Sequence, residues 1–488
     1  MQRLACTIFC VTAVVLVGCS TQSHTDRTSG LVSLFVEGRY NAAASEAGGL
    51  AEESDRRTNS DRLPRDGLVI RLEQGAALRA AGLIDESTRV FRRADRLFQI
   101  ADETPKVQLG SETTALWTNP TALAYRGTQY DRVLVATMQA MNQIELGDLE
   151  LARVFIRDAG RRLRDAKDKF EADIERDRRE ADRAVRSRGG DVDEAWASSL
   201  RRTSGRPVDA IDYGVFANPL PDVLAGMLFL AGETTRGDLE RAVVAFRRAQ
   251  ALEPGNTYLA ELYDLAEASA NAGTFVGEPR VHVIYAAGMA PTRLEWRIDV
   301  PLYIFPGDIG RAGAPGIALP QLAYGPPGAV LTASASGEPF PTQRVASIER
   351  VVTAEFDAAY DGVVSRAVAS AIIRTLAAIA VNTATDRAAD EVGGPEGLLI
   401  FLLGRIGTSV AQVATNAADL RTWRLIPARY EIASFPAPAD GSVQLNLGGR
   451  SVTVELPSSD GRVTHFIFVR QPTPGSPPSV RAATVGVR

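Results

Sequence analysis

The chain has 488 residues, a formal net charge of -5 and 45% hydrophobic residues. That is more than one domain's worth of sequence, with enough apolar content to bury real cores. The acidic balance excludes a general nucleic-acid affinity, which needs a basic footprint, so no nucleic-acid partner is expected.

Met1, Gln2 and Arg3 give a short positive start, and Leu4 to Val17 follow as an apolar stretch the length of an export signal's hydrophobic region. The stretch falls short of the roughly 20 apolar residues that span a bilayer. Leu16-Val17-Gly18-Cys19 then resembles the lipobox of bacterial lipoproteins, with a small residue at the cleavage position and a thiol to carry the lipid. The resemblance implies a signal peptide over 1–18 and lipidation of Cys19. Ser20 in place of Asp after the cysteine implies sorting to the outer membrane, on its periplasmic face. Cys6 and Cys10 would leave with the signal, so the mature chain would hold no disulfide and depend on its core. Loss of Arg3 takes the net charge from -5 to -6.

Residues 19–30 are polar and small and are expected to form a flexible lipidated tether. From 31 to 272 apolar residues recur at helical spacing. Four segments share one pattern: Gly38-Arg39-Tyr40 before Ala43 and Ala47; Gly75, Leu78 and Gly82 before Phe91 and Ala94; Ala140, Gly147 and Asp148 before Ala152, Ile156 and Ala159; Gly226, Phe229, Gly237 and Asp238 before Ala242, Phe246, Ala249 and Pro254. Each reads as helix, Gly-containing turn, helix, which resembles the tetratricopeptide repeat. The turn glycines Gly38, Gly82, Gly147 and Gly237 are 44, 65 and 90 residues apart, where a regular array recurs about every 34. Extra segments must lie between the units, which puts a smooth peptide-binding groove in doubt. Arg157 to Arg183 holds 10 basic and 9 acidic residues. The pairs Asp158/Arg162, Asp165/Lys169 and Glu175/Arg179 place acid four before base, as on a long solvated helix. Self-association through 157–183 is the alternative.

Composition shifts near Gly273, and 273–471 is expected to be a mixed α/β domain. Val281 to Tyr285 reads as a strand. Leu294 to Ile304 alternates, with Leu294, Trp296 and Ile298 on one face and Glu295, Arg297 and Asp299 on the other, the pattern of a half-buried strand. Thr353 to Arg387 and Leu398 to Val413 read as helices around Gly393-Gly394. They form a buried hairpin or, alternatively, a membrane contact through 367–381 and 398–413; Arg374 and Arg405 oppose insertion. Val443 to Leu447 and Ser451 to Leu456 flank Gly448-Gly449 as a two-residue hairpin, and Val463 to Val469 would extend it into a meander. Residues 472–488 read as a Pro-rich tail, disordered or extended. The fold class is therefore α+β: an N-terminal helical hairpin array, then a mixed C-terminal domain with strands, a two-helix hairpin and a β-meander.

Several strings together resemble an uncharacterised family of bacterial envelope lipoproteins with a tetratricopeptide-like front half. They are Tyr125-Arg126-Gly127 with Tyr130-Asp131, Ala290-Pro291 with Leu294-Glu295, Arg297 to Leu302, Ile317 to Pro320, and Ala418 to Trp423 with Pro427. The resemblance implies location and architecture, not an activity. Within the last string Asp419, Arg421 and Trp423 are candidate partner-binding residues, Arg421 for an anion and Trp423 as an anchor; an internal polar lock around a buried Trp is the competing reading.

Catalytic chemistry finds no support. His24, His282 and His465 are far apart, no His/Cys/carboxylate set has metal-ligand spacing, and Gly407-Thr408-Ser409-Val410-Ala411 lacks the final glycine of a nucleophile elbow. No phosphate-loop or dinucleotide pattern occurs. The expectation is a non-enzymatic, lipid-anchored periplasmic scaffold or adaptor with no cofactor and no metal, binding envelope proteins. The alternative is a subunit of an envelope export or membrane-associated complex, with a glycan-acting enzyme a remote third.

Overall fold

The computed structural model describes residues 23–56, 63–104, 123–186, 217–232, 234–299, 316–365, 367, 387, 390–391, 418–457 and 463–486. The signal and Cys19, residues 300–315, and nearly all of the apolar pair 367–381 and 398–413 lie outside the described residues.

Helices come first and strands later, as expected for α+β. The helices are α1 (His24–Arg27), α2 (Ser29–Val36), α3 (Tyr40–Arg56), α4 (Gly67–Ala80), α5 (Ile84–Glu103), α6 (Gln129–Glu145), α7 (Leu149–Arg186), α8 (Leu220–Leu230), α9 (Arg236–Leu252) and α10 (Thr257–Ala272). A further helix, α11, runs over 348–365. The hairpins α2/α3, α4/α5 and α6/α7 turn in one way. Gly82 donates its N–H to Arg79 O and Leu83 to Leu78 O, and the same pair of bonds recurs at Gly38/Arg39 and Gly147/Asp148. This is the Schellman closure, which needs a left-handed residue after the helix; φ at Gly82 is 80°. Hairpin closeness comes from a missing side chain: a Cβ on Gly75 would lie 2.4 Å from Phe91, and one on Gly226 would lie 2.5 Å from Phe246.

The fourth turn differs from expectation. Thr235 caps α9 in a capping box with Asp238, so Gly237 falls inside the helix. The positive-φ turn residue is Gly232. The long helix α7 holds as expected, with Arg162–Asp158 at 2.6 Å and Arg179–Glu175 at 3.4 Å. Arg162 also binds Asp95 at 2.9 Å, so this part of the charge run is tied into the array.

Strands β1 (Arg280–Ala287), β6 (Gln343–Ser347), β7 (Arg429–Pro436), β10 (Val463–Gln471) and β11 (Ser479–Gly486) form a five-stranded sheet ordered β11-β10-β1-β7-β6. Within it β1 and β10 are parallel and the other pairs antiparallel. A second sheet takes β4 (Leu331–Ala335), β5 (Glu338–Pro341), β8 (Ser442–Leu447) and β9 (Arg450–Glu455) in the order β5-β4-β8-β9. Among the described residues β2 (Thr292–Asp299) and β3 (Gly316–Ala323) pair only with each other.

The layers follow from strand alternation. Ile284, Phe468 and Tyr430 point toward Ala76 of α4 and Met138 of α6. On the opposite face Phe435 stacks on Phe340 of β5 at 4.3 Å, and Tyr285 donates to Ala329 O. The order is helices, five-stranded sheet, four-stranded sheet, with one apolar core continuous from Leu31 to Val485. The first helices of the hairpins, α2, α4 and α6, turn their inner face onto the chain's own sheet. The surface where a repeat array would hold a peptide is therefore occupied from within.

Four expectations are corrected here. The tether is helical from His24, which is 5% exposed, because the first residues pack under loop 418–428. The Pro-rich tail is not free: β11 completes the sheet edge against β10, and Ser476 and Ser479 donate to Val36 O and Ala80 O. The β8/β9 hairpin turns at Gly448-Gly449 as expected, but no meander follows. Phe466 to Val469 are buried without alternation, which is the mark of a central strand, and β10 joins β1 instead. Finally, Leu294 is 55% exposed, so the face expected to be apolar and covered is open at this end of the ribbon.

Candidate functional site

Loop 418–428 has no regular structure and threads the seam between helices and sheet. Trp423 is fully buried and meets Phe91 of α5 edge-on at 5.9 Å. Arg421, 3% exposed, donates Nε and Nη2 to Asp419 at 2.8 and 2.7 Å. Its Nη1 reaches Leu123 O at 2.8 Å, Arg65 O at 3.0 Å and Asp66 Oδ1 at 3.2 Å. Burial works to raise the Asp419 carboxyl, but the Arg421 hydrogen bonds and charge outweigh it and hold it below its ordinary value. Asp66 also pairs with Arg27 of α1. The structure brings Asp419, Arg421 and Trp423 together, but as an internal lock. Arg421 and Trp423 are buried in this arrangement, as the competing reading of an internal polar lock around a buried Trp has it, while the Asp419 side chain stays partly exposed.

Tyr125, Asp131, Ala290 and Glu295 also meet at or beside this seam. Arg421 holds Leu123 O beside Tyr125, and the Tyr125 hydroxyl donates to Asp131 at 2.6 Å. Glu295 accepts from Ala418 N–H at 3.0 Å, and Ala290 N–H donates to Ile426 O. Two buried glutamates finish the joint. Glu73 of α4 accepts from Arg424 N–H and Leu425 N–H at 2.6 and 3.0 Å. Glu355 of α11 accepts from Gln129 and Tyr130 at the start of α6.

Burial pushes the Glu73 carboxyl up to about 8, against the pull of those two backbone donors, and pushes Glu355 up to about 7. Burial lowers His24 to about 4 and His282 to about 3. A raised carboxyl stabilises the fold below its unfolded pKa and loses that contribution as pH rises through the folded value. A depressed histidine does the reverse, losing its contribution as pH falls below about 6.5. The two effects oppose each other below that point, and above it the raised carboxyls act, with Asp131, also pushed up by burial, beside the glutamates. Stability should therefore fall between about pH 6.5 and 8, by at most about 1.4 kcal/mol per pH unit per group. Thermal melts across that window check this, and Glu73→Gln should flatten the slope; an equally steep slope in the variant would refute the assignment.

A second feature of the seam is a cavity of about 40 Å³ between α4, α6 and the sheet, lined by Arg79, Arg470 and Arg481 among apolar side chains that include Phe35 and Met138. Arg79 and Arg481 share Glu145, each at 2.6 Å. Arg470, 8% exposed, donates to Ala286 O at 3.1 Å, Gly288 O at 2.7 Å and Leu425 O at 3.3 Å. It has no carboxylate partner among the described residues. Burial lowers its guanidinium to about 10, so it stays charged at neutral pH.

These residues were not singled out from sequence, although a signal existed. Phe466, Phe468 and Arg470 occupy alternate positions of one strand, so an arginine sits where a third core residue belongs. His282 and His465 bond to Ser434 and Thr484 on separate parts of the sheet. Among the described residues no group of His, Cys, Asp or Glu is arranged to hold a metal ion. No described helix is long and apolar enough to cross a membrane. No known protein family, curated protein or solved structure matches this chain.

Proposed function

We propose that this chain is a lipid-anchored, non-catalytic scaffold of the bacterial envelope that engages a protein partner away from its helical groove. The inner face of the array is filled by the chain's own sheet, so the helices act as a frame and not as an open peptide clamp. The observation that carries the reading is the β2–β3 ribbon. It belongs to neither larger sheet and shows Leu294 at 55% exposure, with Tyr324 just beyond it at 44%.

The packed N-terminus supports a location close to the membrane. Four residues separate His24 from Cys19, five Cα steps that reach at most about 18 Å. A lipid on Cys19 would hold the body against the bilayer surface. Metabolic labelling with a palmitate analogue should mark the wild type and not Cys19→Ser. Crosslinking in cells followed by mass spectrometry should recover a reproducible set of envelope proteins. Leu294→Asp should lose that set with an unchanged melting temperature, since the residue is exposed. Recovery of the wild type alone would defeat the scaffold reading; an unchanged set in Leu294→Asp would move the contact off the ribbon.

A further inference from the structure

The seam cavity has more positive charge than its own residues neutralise. Arg79, Arg470 and Arg481 come from α4, β10 and β11, and Glu145 is the one carboxylate bound to any of them among the described residues. Two guanidinium charges are left over. A buried charge without a counter-charge is costly, and carbonyl oxygens supply partial charge only. The cavity has room for roughly three waters, or for one small oxyanion.

Access comes from the surface. A groove of about 510 Å³ runs beside the cavity, between the turns at Gly38 and Gly82 and the start of β11. Ala80 and Arg481 line both spaces. Arg39 adds a cation on the groove side. Arg481 is half-buried, held by Glu145 and Ser479 Oγ, so its side chain stands at the passage from groove to cavity.

We propose that this cavity is a binding site for a phosphoryl group, entering past Arg481 and taking its charge-assisted hydrogen bonds from Arg470, Arg79 and Arg481. Two excess cations match a phosphate near neutral pH, which carries between one and two negative charges. Guanidinium groups from three separate elements suit a tetrahedral oxyanion, because each approaches from its own side and keeps at least one N–H donor beyond its present bonds. The group's source is either free phosphate or a phosphomonoester whose remainder lies in the groove. The inference rests on the cavity alone and stands apart from the scaffold reading.

The test uses the purified full chain. Thermal melts with increasing sodium phosphate, at constant ionic strength set by chloride, should show a saturable rise in melting temperature. Sodium acetate over the same range should not. Arg481→Gln, at the half-buried mouth, should fold and weaken the apparent affinity about tenfold or more. Arg470→Met should weaken it further, but Arg481→Gln decides the matter if that variant does not fold. Glu145→Gln removes the competing carboxylate and should tighten binding. Glycerol 3-phosphate binding tighter than inorganic phosphate would place the rest of the ligand in the groove; equal affinity would assign the site to free phosphate. No saturable rise with either probe, or an undiminished one in Arg481→Gln, would overturn the proposal.

Discussion

Replacing Arg421 by Met should lower the stability of the protein by about 3–5 kcal/mol, the cost of breaking a buried ion pair from one side. Arg421 satisfies Asp419, Asp66 and the carbonyls of Arg65 and Leu123 from a position 3% exposed. Methionine fills the volume but offers no donor, so two carboxylates and two carbonyl oxygens lose the guanidinium together, although Arg65 O keeps the Tyr125 N–H and Asp419 the backbone N–H of residue 421. Asp66 keeps Arg27, which limits the loss on that side. Arg421→Lys retains the charge, but one ammonium cannot span acceptors on residues 65, 66, 123 and 419, so it should fall between wild type and Met. Guanidinium denaturation followed by near-UV dichroism would measure this. A midpoint for Arg421→Met within error of wild type would show that the lock contributes nothing.

The helical half was legible because its signals are local. A glycine two residues past the end of a helix closes each of these hairpins with a Schellman turn, and Gly38, Gly82 and Gly147 behave alike. The fourth turn was misplaced because Gly237 has the same look, whereas the Thr235–Asp238 capping box already marks it as a first-turn residue. Strand order was not legible. Val463 to Val469 follows a hairpin closely enough to suggest a meander, yet its partner β1 lies almost two hundred positions earlier. The buried central position is written only in the unbroken run Phe466-Ile467-Phe468-Val469. β11 carried still less signal. Its side chains are small or polar, and it forms because the open edge of β10 needs backbone partners and because Arg481 finds Glu145 on a distant helix.

The same distinction explains the candidate site. Asp419, Arg421 and Trp423 stood out as residue types, and the types were informative: a buried arginine with its acid, next to a tryptophan, is a joint between layers. Which surfaces they join depended on Asp66, Glu73 and Phe91, all more than three hundred positions away. With the inner face of the array covered by sheet, the surfaces that the two proposals call on are the ribbon and the groove along the hairpin turns. The turns at Gly38, Gly82 and Gly232 lie against Pro477, Arg481 and Val485 in that order. The C-terminal segment thus runs past three of the four turns, Gly147 standing clear of it.

Trp423→Ala should be the second large effect, a loss of about 3–5 kcal/mol from emptying a fully buried aromatic site. The ring is 0% exposed and contacts Phe91, itself pressed against the bare backbone of Gly75. Removing the indole therefore loosens the α4/α5 hairpin from behind while it detaches the loop in front. The indole N–H has no hydrogen-bond partner among the described residues, so the ring acts through shape and apolar area alone. That makes Trp423→Phe the informative companion: it gives up no hydrogen bond, keeps an aromatic contact with Phe91, and should cost no more than about half as much. A double-mutant cycle with Phe91→Leu should give a coupling of about 0.5–1.5 kcal/mol. Equal losses for Trp423→Phe and Trp423→Ala would mean that a polar contact of the indole, and not packing against Phe91, holds the seam.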